Sequence, residues 1–71
     1  MSPAEKLDLV RRAQRALRGP VPAVVRNGPV NVAADYKDAA AICSGFIQRG
    51  GVQLQRVRTA VARLESMQGQ A

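Results

Sequence analysis

The sequence predicts one small α+β domain: a helix, a two-stranded β-hairpin, and two further helices packed on one face of that hairpin. Three observations predict it. Ser2-Pro3-Ala4-Glu5 has the form of a helix start, Asn27-Gly28 sits between two valine-rich runs, and apolar residues recur at helical spacing in two segments divided by Gly50-Gly51. The domain is expected over residues 1–67, with a frayed tail at 68–71.

Each element follows from local chemistry. Ser2 can accept from an amide of the first turn, Pro3 suits the first helical position, and Glu5 can reach back to the cap. The first helix carries Leu7, Leu9, Val10, Ala13, Ala16 and Leu17 on one side and stops at Gly19-Pro20. At about 100° per residue, Arg11, Arg15 and Arg18 cluster on the opposite side, with Arg12 and Asp8 nearby. Acids in the first turn and arginines in the last also suit the helix dipole, so stability alone could account for that distribution.

Between Val21 and Ala34, Asn27-Gly28 reads as a type I′ turn. In that register Val25 faces Val30, Ala23 faces Val32 and Val21 faces Ala34, which makes one face of the ribbon apolar. Asp35 then caps the second helix, Asp38 adds a carboxylate to its first turn, and Tyr36, Ala39, Ile42, Cys43, Phe46 and Ile47 share its core face. Gly50-Gly51 terminates it. A third helix is expected from Val52 to about Met67, with Leu54, Val57, Val61 and Leu64 at the 3-4-3 spacing of a bundle seam. Arg56 and Arg63 flank that seam on one side, Arg58 and Glu65 on the other.

Composition narrows the function classes. The chain has no histidine, a single cysteine and no nucleotide-binding glycine pattern, so neither catalysis nor a metal or other cofactor is expected. Cys43 reads as a buried, inert core thiol. No segment reaches the ~20 apolar residues of a membrane span, and Glu5 and Asp8 interrupt the region a signal peptide would occupy, so a cytosolic location is expected. The net charge is +6, and every cation except Lys6 and Lys37 is an arginine, the side chain suited to bidentate contact with phosphate or carboxylate. Arg11, Arg12, Arg15, Arg18, Arg26, Arg56 and Arg63 are therefore the candidate contacts to nucleic acid or another acidic partner. The same charge would also serve solubility alone. Leu54, Val57, Val61 and Leu64 are the candidate protein interface, because a chain of 71 residues buries its apolar surface with difficulty.

The order of helix, glycine-ended connection, hairpin and helix resembles the W protein family, the small head-to-tail joining proteins of lambdoid phages. The likeness lies in Glu5, Leu7, Arg11, Leu17 and Gly19, in Val24 to Val32 across Asn27-Gly28, and in Asp35 to Ile42, about two thirds of the chain. It implies a protein that packs as a ring of copies on a phage connector and stabilises packaged DNA, with a virion location. After Gln48 the chain departs from the family, since Gly50-Gly51 and a third helix replace the family's short basic tail. The expectation is thus a non-enzymatic assembly or adaptor protein that docks to protein subunits, its own copies or a partner's, and to DNA through phosphates, as a homo-oligomer or obligate complex. The alternatives are a small DNA-binding regulator and a phage-encoded inhibitor of one host protein.

Overall fold

The Glu5 amide donates to Ser2 Oγ at 3.3 Å and Pro3 occupies the first helical position, so the first helix starts at the cap read from the sequence. The structure, a computed structural model, describes residues 2–51 and 53–69. Among them it is wholly helical: α1 spans Pro3–Arg18, α2 Ala23–Asn27, α3 Val30–Arg49 and α4 Leu54–Gln68. None of these helices is long and apolar enough to cross a membrane.

The hairpin is absent, and with it the α+β class. Residues expected to form two strands instead form α2 and the first turns of α3. The two prolines show why. A proline inside a ribbon deletes a ladder donor, but at the N-terminal boundary of a helix its missing N–H costs nothing. Pro22 and Pro29 sit at those boundaries. The amides of Val25 and Arg26 donate to the Pro22 carbonyl at 3.0 and 3.2 Å, and those of Val32 and Ala33 to the Pro29 carbonyl at 3.1 and 3.4 Å. An isolated two-stranded ribbon is marginal in water, whereas lengthening α3 carries its inward stripe back through Tyr36 to Val32. The apolar ribbon face disappears accordingly: Val21 is 40% exposed and Val30 86%. Asp35 caps nothing; it lies in the second turn of α3, whose N-cap is Pro29.

Gly28 has a different task from the one its Asn-Gly context suggests. Its φ is −94°, outside the left-handed region that a type I′ turn demands. A Cβ at this position would stand 2.1 Å from the carbonyl oxygen of Val24, so glycine is required by close backbone approach where the chain leaves α2. Gly50, by contrast, does use its freedom: at φ 72° it ends α3, and its amide donates to the Phe46 carbonyl at 3.0 Å.

Three long helices form the bundle. Side-chain partners fix their relative direction: Glu5 meets Arg58, Arg12 meets Glu65 and Gln68 meets the Ala16 carbonyl, so α1 and α4 run parallel. The short turn after Gly50 brings α4 back antiparallel to α3, and α2 packs on α3. Buried between them are Leu9, Ala13 and Ala16 of α1, Ala39, Cys43 and Phe46 of α3, and Val57, Ala60, Val61 and Leu64 of α4. The alanines and Cys43 let the helices approach closely; Phe46 and the α4 residues fill the remaining space. Burial pushes the Cys43 thiol pKa up, which keeps it protonated and unreactive. Leu7, assigned by spacing to the apolar side of its helix, is 51% exposed at the edge of the stripe. The expected start of the last helix, Val52, lies outside the described residues, as do Gln70 and Ala71 of the expected frayed tail. Gln68, the first residue of that tail, is the last residue of α4, and its side-chain amide donates to the Ala16 carbonyl.

Candidate acidic-partner interface

The long helices separate the arginines into sets with different surroundings. On α1 the inward positions are Leu9, Ala13 and Ala16, so the helical period carries Arg11, Arg15 and Arg18 to the outer face, where all three are exposed. No carboxylate stands at ion-pair distance from them among the described residues. Arg15 and Arg18 occupy the last turn of α1, where they also oppose the negative end of the helix dipole.

Arg12 does not belong to that face. It turns toward α4 and grips Glu65 with two nitrogens, Nη2 to Oε1 at 2.7 Å and Nε to Oε2 at 3.3 Å. This hydrogen-bonded grip holds the Glu65 carboxyl below its usual range, with the charges of Arg12 and Arg15 assisting and partial desolvation opposing; the Arg12 pKa moves up in return. One heptad earlier the signs are reversed, with Arg58 of α4 4.0 Å from Glu5 of α1. Neither the Arg12–Glu65 nor the Glu5–Arg58 partnership was evident from one helix alone, although each helix carries an acid and an arginine seven residues apart in opposite order.

Arg56 and Arg63 lie on the other flank of α4, in an open groove of about 620 Å³ between α3 and α4. Asp38 of α3 lines the same groove, a role its expected place in a first helical turn did not suggest. Arg26 stands apart at the end of α2, beside a smaller cleft of about 400 Å³ formed with Pro20, Val21, Pro22 and Gln68. The seven candidate arginines are thus divided among an outer face, an internal ion pair, a groove and a cleft.

Comparison of the chain with protein-family models, with curated proteins and with solved structures gave no match. The order of elements that suggested the phage joining proteins loses its hairpin: Val24 to Val32 is helical with a break at Gly28-Pro29, and Asp35 opens no helix.

The seam proposed for protein contact is filled by the chain itself. Val57, Val61 and Leu64 are 0% exposed within the bundle, and Leu54 is half-buried against the same core. The outer face of α1 and the α3/α4 groove, by contrast, are open to solvent.

Proposed function

We propose that this protein is a non-enzymatic docking module, of the assembly or adaptor kind, that holds an acidic partner against the arginine face of α1. One observation carries the reading: Arg11, Arg15 and Arg18 are exposed together on one helix face, with no carboxylate at ion-pair distance among the described residues. From Arg11 to Arg18 the helix rises about 10 Å, the axial rise of about three nucleotides along one strand, so a phosphate backbone is a partner of matching pitch. Burial of Leu9, Ala13 and Ala16 sets the rotation of α1 in the bundle and hence the direction in which that face points, and the Arg12–Glu65 pair agrees with it. A setting in virion assembly rests on the likeness of the α1 segment, Glu5 to Gly19, and there the partners would be connector subunits and packaged DNA.

The test is affinity for a short DNA duplex at 50 and 200 mM salt, for the native chain and for R11E/R15E/R18E. Three phosphate contacts should cost about 40-fold in affinity over that range, and the variant should lose both the affinity and most of the salt dependence. Because all three side chains point away from the core, the variant should remain folded, with only the modest loss that acids in the last turn of α1 bring. A variant that binds the duplex as the native chain does would refute the reading.

A further inference from the structure

We infer that the groove between α3 and α4 is a second docking surface, built for an acidic α-helix of a partner protein. The groove has an apolar floor and a basic wall: Ala39, Ala41 and Ile42 of α3 with Ala60 of α4 form the floor, bordered by Gln55 and Thr59, while Arg56 and Arg63 line it from α4. Both arginines are exposed and neither meets a carboxylate at ion-pair distance among the described residues, although Asp38 lines the opposite wall. On the other flank of the same helix, Arg58 and Glu65 both have partners on α1.

The shape suits a helix. A trough between two antiparallel helices with small floor residues lets a third backbone approach to the usual 8–10 Å, and Gly45 continues this small surface along α3, where a Cβ would meet nothing within 4 Å. Arg56 and Arg63 are seven residues apart, about 10 Å or two helical turns, so carboxylates at i and i+7 of the occupant would meet them in register. Small apolar residues between those carboxylates would cover the floor.

Charge selects among occupants. A second copy of this chain would bring another +6 and its own arginines to a wall that is already basic. A phosphate backbone would leave the apolar floor without a complement. An acidic amphipathic helix satisfies both the wall and the floor. This inference is independent of the α1 face and can stand if that reading fails.

The probe is a 21-residue helical peptide with a Leu/Ala stripe and glutamates seven apart, compared with its lysine counterpart and with a 12-bp duplex, by amide NMR of the full chain. The glutamate peptide should shift the amides around Ala41, Ile42, Thr59 and Ala60. R56E/R63E should weaken its binding at least tenfold, R56Q/R63Q should weaken it less, and R11E/R15E/R18E should leave it unchanged. Circular dichroism checks that each variant is folded. Absence of groove shifts at millimolar glutamate peptide, shifts that survive R56E/R63E, or groove shifts produced by the lysine peptide or the duplex would each overturn the inference.

Discussion

The two flanks of α4 carry similar side chains and use them differently. On the flank toward α1, Arg58 and Glu65 reach partners on the neighbouring helix, and Gln68 adds a hydrogen bond to the Ala16 carbonyl. On the flank toward α3, Arg56 and Arg63 line an open groove. Composition does not separate these arginines, since all belong to one short helix and all are exposed. What separates them is the facing surface. The α1 wall offers Glu5 and a central arginine for Glu65, whereas the groove wall of α3 offers alanines, Ile42 and Asp38. The charged side chains of one flank therefore pair within the bundle, and the arginines of the other have no carboxylate at ion-pair distance among the described residues.

That contrast can be broken from its centre outward. Leu64 lies between the two flanks at 0% exposure, and Leu64→Ala should destabilise the fold by about 2–5 kcal/mol, read from urea or thermal unfolding. A loss under 1 kcal/mol would mean that α4 is not the shared core element. The closed flank should respond less. Arg12 and Glu65 keep 41% and 42% of their side chains in water, so Glu65→Gln should cost only about 0.2–1 kcal/mol, and the loss should shrink at high salt.

The Glu65 contribution also has a pH signature. Its carboxyl pKa is lowered in the folded state, so the stabilisation is fully present above the unfolded value of about 4.3 and is lost as pH falls through the lower folded value. The native chain and Glu65→Gln should therefore converge in stability in acid and differ at neutral pH. Curves that stay parallel through the acid range would remove the ion pair from the account. The open flank should respond least: Arg56→Ala and Arg63→Ala should each change stability by less than about 0.5 kcal/mol. A larger loss in either would place that arginine in the bundle and close the contrast.

Much of the bundle was legible in the sequence because the signals were local. The Ser2-Pro3 start, the 3-4-3 seam of α4 and the stop at Gly50 depend on neighbours within a turn or two, and each appears in the structure. The hairpin failed because Asn-Gly and alternating valines are also local signals, and here packing along the whole of α3 overrode them. A sequence clue to the correct reading was present: Val32, Tyr36, Ala39, Cys43 and Phe46 run at 4-3-4-3 spacing straight through the supposed cap at Asp35. The candidate site was legible as a set of residues but not as a surface. Spacing identifies the outer face of α1, but whether Arg12 or Arg56 is free depends on which helix lies beside it, and a single helical wheel does not contain that information.

The reversed charge pairs between α1 and α4 have a consequence beyond the small stability they supply. A slip of α1 along α4 by one heptad, about 10 Å, would already shorten the overlap of two helices of 16 and 15 residues, and the charges add to that penalty. In one slipped alignment Glu5 would face Glu65; in the other Arg12 would face Arg58. Each displaced arrangement sets like charges together, so the pairs weigh against slippage in both directions. Their value lies in the neighbouring states they disfavour, added to what the buried residues of the two helices already specify.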